Sequence, residues 1–141
     1  MAPRTPRFET ALAASEADIR AAQTLRYEVF VEELGGDGPL VDHRNRLERD
    51  AFDPYYDHLL LFDRARQDNQ VVGVYRLLSS DKEPHVGQYY CDDEYDLSRL
   101  KQSGRRLLEL GRSCLHADYR GGSAMLTLWQ ALAGYIQARD I

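Results

Sequence analysis

Glu109 and Arg112 stand three residues apart in the apolar run LLELGRSCL. Charged groups inside such a run carry a desolvation cost unless they are partnered. Partial burial would raise the pKa of Glu109 and suit it to act as a general base through water. A structural ion pair with an arginine from another segment fits the same residue equally well. On a regular strand, residues three apart face opposite sides, so Glu109 and Arg112 meet only if a bulge intervenes. A little further on, Arg120-Gly121-Gly122-Ser123-Ala124 leads into a periodic apolar stretch. A strand that enters a helix through a glycine turn gathers unpaired N–H groups and the positive end of the helix dipole. Such a turn would cradle a phosphate, with Arg120 pairing to it. An ordinary strand-to-helix turn, with glycine for backbone freedom and serine as a cap, has the same composition.

Glu48, Asp50 and Asp53 cluster in LERDAFDPYYDH. They would receive an amine or guanidinium, or form a solvated loop; their spacing is not that of a calcium-binding loop. Arg26, one helical turn before Phe30, would share a cleft with it, and Arg76 follows VVGVY. Both arginines would also be at home on a surface. Cys114, with His116 two residues on, is a nucleophile candidate or a core residue. Arg99, Lys101, Arg105 and Arg106 form a basic cluster that would dock an acidic partner, or simply meet solvent.

These residues need elements to hold them. Phe8 to Ala13 reads as a short strand. Ser15, with Asp18 three residues on, reads as a helix N-cap. Ile19, Ala22, Leu25, Val29 and Phe30 continue one helix until Gly35, Gly36 and Gly38-Pro39 end it. Leu40 to Phe52 reads as a loop or a short helix. DHLLLFD, from Asp57 to Asp63, and QVVGVYRLL, from Gln70 to Leu78, read as two strands of a hairpin. The polar stretch Ser79 to Gly104 is long enough to need local structure or a function. Arg106 to Leu115 is a third core strand. From Gly122 to Arg139 a helix places Met125, Leu128, Trp129, Leu132, Tyr135 and Ile136 on one face. The plan is a mixed α/β, or α+β, arrangement around one sheet.

The chain has 141 residues, 43% hydrophobic and 29% charged, as in an ordinary globular domain. A net charge of −5 argues against general nucleic-acid binding. No apolar run approaches the roughly 20 residues that span a bilayer, and the N-terminus lacks the apolar core of a signal peptide. Cys91 and Cys114 are far apart and in no metal-ligand spacing, which fits a cytoplasmic chain with reduced thiols and no bound metal.

Taken together, LRYEVFVEELG, ERDAFDPYYDHLLLFD, VVGVYRLL, YDLSRL and ELGRSCLHADYRGGSAMLTLWQALAGYI resemble the GNAT-type N-acyltransferase superfamily. More narrowly, they resemble the L-ornithine Nα-acyltransferases of bacterial ornithine-lipid synthesis. The phrases cover most of the chain from Leu25 to Ile136. A weaker likeness ties them to the acyl-homoserine-lactone (autoinducer) synthases. The resemblance implies that Arg26, Phe30, Asp50, Asp53, Arg76, Glu109 and Arg112 line a cleft shared by an acyl thioester and an amine. It implies that backbone N–H groups of Ser113, Cys114 and Leu115 hold a pantetheine arm. The family's pyrophosphate loop, Arg/Gln-x-x-Gly-x-Gly/Ala, falls on Arg120 to Met125 with Ser123 and Met125 in place of the first and last glycine. That departure fits a donor carried as 4'-phosphopantetheine on acyl carrier protein, with no separate cofactor. The implied partners are acyl carrier protein, docked on Arg99, Lys101, Arg105 and Arg106, and L-ornithine. A lipid product implies contact at the periphery of the inner membrane. The family fold continues beyond the last helix with further strands and a helix. The resemblance therefore makes residues 1–141 the N-terminal portion of a single domain, poorly stable and inactive by itself because a strand edge is left free. An autoinducer synthase using S-adenosylmethionine and a non-catalytic carrier-binding module are the competing readings.

Overall fold

The computed structural model describes residues 5–141. Four strands form one sheet in the order β1-β2-β3-β4, antiparallel throughout. They are β1 (Phe8–Leu12), β2 (Asp57–Asp63), β3 (Val71–Ser79) and β4 (Leu108–Leu115). The hairpin foreseen between β2 and β3 is present, closed by the Asp63 N–H on the Gln70 carbonyl at 2.8 Å.

Side-chain alternation on β2 sorts the core into two layers. Leu59 and Leu61 point to one face, where α4 (Ala124–Ala138) buries Leu128, Leu132 and Tyr135. Leu60 and Phe62 point to the other, against Ala22, Leu25 and Val29. β3 is buried along its whole length because both faces are covered. Gly73 lies in the first layer, where an added Cβ would stand 3.0 Å from Leu115 and 3.2 Å from Leu61. Trp129 does not join that layer as its spacing suggests; it is 54% exposed, with its indole N–H on the Tyr75 hydroxyl at 3.0 Å.

Ser15 caps α1 (Glu16–Arg26) as expected: its Oγ accepts from the Asp18 N–H at 3.1 Å, and Asp18 accepts from the Ala14 N–H at 2.9 Å. The α-helix ends at Arg26, earlier than the apolar pattern suggests. The chain continues as a π-helix over Tyr27–Glu33. Wider π turns change which side chains stack along a face without breaking the apolar contact, so periodicity does not reveal them. Leu40 to Phe52 is a loop rather than a helix, tied by reciprocal 2.9 Å bonds between Asp42 and Leu47. The long Ser79 to Gly104 connection is structured. It contains α2 (Glu83–Val86), a 3-10 turn at Tyr90–Asp93 and α3 (Ser98–Gln102).

β4 holds a further departure from regular geometry, after a one-residue register shift between β2 and β3 at Leu61/Phe62. Val74 faces Cys114 but Arg76 faces Gly111, so β4 carries one more residue than β3 across this stretch. Arg112 sits in this bulge with φ +49°. The extra residue turns Glu109 and Arg112 toward the same cleft.

Candidate active site

Four chain segments converge beside the bulge. α1 supplies Arg26, the following loop supplies Glu48, Asp50 and Asp53, β3 supplies Arg76 and β4 supplies Arg112. Their side chains form a closed ring of alternating charge. Arg26 donates to Glu48 through Nε at 2.7 Å and to Asp53 through Nη1 at 2.7 Å. Arg76 Nη1 reaches Asp53 at 2.9 Å and Asp50 at 2.6 Å. Arg112 closes the circuit to Asp50 at 3.1 Å and Glu48 at 3.1 Å. Arg26 and Arg76 are wholly buried, and each charge has two partners of opposite sign, the condition under which buried ions are tolerated. Thus the carboxylate cluster is neither a solvated loop nor free to bind a cation, and neither arginine lies at the surface.

The surroundings reinforce the ring. Gln23 donates to Asp53 at 3.0 Å. Burial pushes Asp53 up, but the charges and hydrogen bonds of Arg26 and Arg76 more than offset it and hold the carboxyl below its ordinary range. His58 is pushed down by burial; as a neutral ring it donates Nε2–H to the Asp53 carbonyl at 2.9 Å. The Arg76 guanidinium lies 4.8 Å from the Tyr56 ring centroid, 5.6 Å from Tyr90 and 5.9 Å from Phe52, an aromatic cage for a cation. Phe30 stands beside Arg112, 6.0 Å from its guanidinium.

Glu109 occupies a different setting from the one its neighbours in sequence suggest. It accepts from the backbone N–H of Tyr90 and Cys91, each at 2.9 Å, and from the Tyr56 hydroxyl in a short hydrogen bond. Burial raises its pKa, as anticipated, but the Cys91 thiol, the Tyr56 hydroxyl and the two N–H groups outweigh burial and leave it lowered. The expectation of a raised pKa is therefore corrected. Burial and Glu109 also hold the Tyr56 hydroxyl protonated and push the Cys91 thiol up to about 11.

Glu109 and Arg112 line a cleft of about 420 Å³ that opens along β4. Its walls are apolar, from Leu97 and Leu100 around α3 to Leu107, Leu108 and Leu110. Tyr56, Arg76 and Tyr90 complete its charged floor. A greasy trough ending on a few placed polar groups is the form of a small-molecule site.

The remaining expected residues divide. The Cys114 side chain lies in the core beside Ala22 and Val74, and burial pushes its thiol up to about 12, so it is a core residue and not a nucleophile. The His116 N–H bonds to Val72. By the alternation of an antiparallel ladder, the Cys114 backbone also faces β3, which spends the N–H assigned to a pantetheine arm. Leu115, between them, presents its backbone to the open edge, although its side chain is in the core. Ser113 is exposed. Arg120 turns away from the glycine turn. It forks onto Glu33 at 2.8 and 2.9 Å and donates to the Leu115 carbonyl at 2.9 Å, so its charge is already matched. Gly121, at φ +82°, needs to be glycine; Gly122 and Ser123 are exposed, and the buried Ala124 starts α4 with no serine side-chain cap. Of the basic cluster, all four residues are exposed; Lys101 is held by Asp92 at 2.9 Å, and Arg106 donates to the Arg139 carbonyl. Glu48, Tyr56, Tyr90 and Gln23 join the site without a distinctive signal of their own, although Glu48 stands in the flagged carboxylate cluster.

A bulged edge strand beside an apolar, charge-floored cleft, with helices on both faces of an antiparallel sheet, is the frame that holds these groups. A family profile described as an acetyltransferase (GNAT) domain matches residues 25–130, and the chain belongs to that family. It is 60% identical over 137 residues to the L-ornithine N(alpha)-acyltransferase of Rhodobacter capsulatus, covering 95% of this chain and 53% of that protein. It is 40% identical over 139 residues to the protein of the same name from Brucella abortus, covering 95% and 50%. The chain spans about half the length of these curated relatives. Among solved structures, an N-acyl amino acid synthase from uncultured soil microbes superposes with a TM-score of 0.70 at 15% identity, covering 97% of this chain and 68% of that one. The AHL synthase LasI superposes with a TM-score of 0.65 at 20% identity, covering 97% and 70%. At these identities the likeness shows the fold alone.

Proposed function

We propose that the protein transfers a 3-hydroxyacyl group from the phosphopantetheine thioester of acyl carrier protein to the α-amine of L-ornithine, giving lyso-ornithine lipid. The observation that carries this reading is the leucine-walled cleft ending on Glu109, Arg112 and Tyr56, which suits an acyl chain with a reacting carbonyl at its polar end. The choice of ornithine is supported by the name of the relative that is 60% identical.

The chemistry follows from the groups present. The neutral amine attacks the thioester carbonyl carbon, a C–N bond forms, the C–S bond breaks and the pantetheine sulfur leaves as a thiolate, which becomes a thiol by taking up the proton that the nitrogen gives up by way of Glu109 and water. The nitrogen must shed a proton. Glu109, ionised at neutral pH, receives it through water, since its oxygens already face Tyr56, Tyr90 and Cys91. The outward N–H of Leu115, on the open edge of β4, is the group that would bind the pantetheine arm. No metal or redox group takes part in this scheme.

The test is mass spectrometry of the products formed from 3-hydroxyacyl carrier protein and L-ornithine by the full-length protein. N-acylornithine is expected, with Glu109→Gln lowering its rate by about 10²- to 10⁴-fold, the range for loss of a general base. Product that survives the substitution moves the base elsewhere. Product from S-adenosylmethionine alone replaces ornithine as the acceptor.

A further inference from the structure

We propose that a second, smaller cleft behind Arg112 is the acceptor pocket, with Asp37 taking the side-chain ammonium of an amino acid whose α end lies toward Arg112. This rests on the acyl transfer read above and adds how the acceptor is chosen. The cleft measures about 220 Å³ and lies between the π-helix and the loop that follows it. Arg112 lines both this cleft and the larger one, so a single side chain borders the two.

The lining suits the side chain of such a ligand. Phe30, Val31 and Val41 supply an apolar wall for methylenes. Glu48 and Asp37 are its carboxylates, and they are not equivalent. Glu48 is matched by Arg26 and Arg112 within the charge ring. Asp37 instead accepts from the Gly38 N–H at 2.8 Å and pairs with His43 Nε2 at 2.9 Å, neither of them a fixed cation. Its negative charge is therefore available to a ligand.

Asp37 is also positioned, although its side chain is 71% exposed. Tyr27 holds His43 from behind at 2.8 Å, so a chain of three side chains fixes the carboxylate. The turn beneath it is pinned by the Gly36 N–H on the Phe30 carbonyl at 2.8 Å. A Cβ at Gly36 would stand 2.7 Å from that same oxygen, so this approach of loop to helix needs glycine.

Norvaline, which is ornithine without the side-chain amine, separates the ammonium contact from everything else. Turnover and calorimetric binding of both amino acids are compared in the full-length protein and in Asp37→Asn and Asp37→Glu. Wild type is expected to favour ornithine. Asp37→Asn should erase roughly two- to fivefold of that preference through KM, the worth of an exposed ion pair, with norvaline unchanged and Asp37→Glu restoring the preference. An ornithine-to-norvaline ratio that is the same in wild type and Asp37→Asn overturns the assignment, even if acylornithine forms. Asp37-dependent binding of ornithine without any acylornithine sustains the pocket and rejects the reaction.

Discussion

Each carboxylate of the ring, Glu48, Asp50 and Asp53, bridges two arginines, so removing one charge strands two others inside the protein. Asp53→Asn is therefore expected to destabilise the fold by about 3–5 kcal/mol, the cost of breaking a buried pair, as a lowered melting temperature would show. The same group sets an acid limit. Its folded-state pKa lies below its unfolded value, so its contribution is complete above about pH 4, the unperturbed aspartate range, and is lost as pH falls through the depressed value. Melts taken downward from pH 5 should show this loss in wild type and a shallower one in Asp53→Asn. Little of this was legible in the residues themselves. Carboxylates spaced as in ERDAFD look like any polar loop, and only their resemblance to a family pattern gathered Asp50 and Asp53 with Arg26, Arg76 and Arg112. Glu109 was legible as a position but not as an environment, because its partners at Tyr56, Tyr90 and Cys91 come from segments with no evident tie to β4.

The strands and α4 were readable because burial on one or both faces writes itself as apolar runs and helical spacing. The π-helix and the β4 bulge were not, since both keep the apolar pattern while shifting where side chains point. These two irregular elements bring Phe30, Glu109 and Arg112 to the clefts, so the site depends on the parts of the backbone that periodicity conceals. The register they set is fixed by close packing nearby. Gly73 leaves little room for a Cβ, which would stand 3.0 Å from Leu115, 3.2 Å from Leu61 and 3.4 Å from Leu128. Gly73→Ala is expected to cost about 1–3 kcal/mol through overpacking, read from a denaturant midpoint with an unchanged slope. A neutral result would mean that the β3–β4 pairing has more slack than these distances allow.

Over the whole molecule, a net charge of −5 sets off the exposed cations at Arg99, Lys101, Arg105 and Arg106. α3 carries Arg99 and Lys101, while Leu97 at its cap and Leu100 within it line the leucine-walled cleft, so this patch borders the cleft wall. Reversing the charge at Arg105 and Arg106 should raise KM for an acidic acyl carrier protein more than KM for ornithine, with the difference shrinking as salt is added. Equal changes in both constants would remove this surface from donor docking. The fold class was legible at this scale because element order alone limits how one sheet and its helices can pack; the clefts were not, because their walls come from segments far apart in the chain. The closed ring has one more consequence, for the history such a molecule can have. A lineage that loses one of these six charges is left with an ion it cannot hydrate, so drift proceeds by exchanging an acid and a base together. Substitutions here should then accumulate in steps of two, opposite in sign, while the leucines lining the larger cleft wander singly.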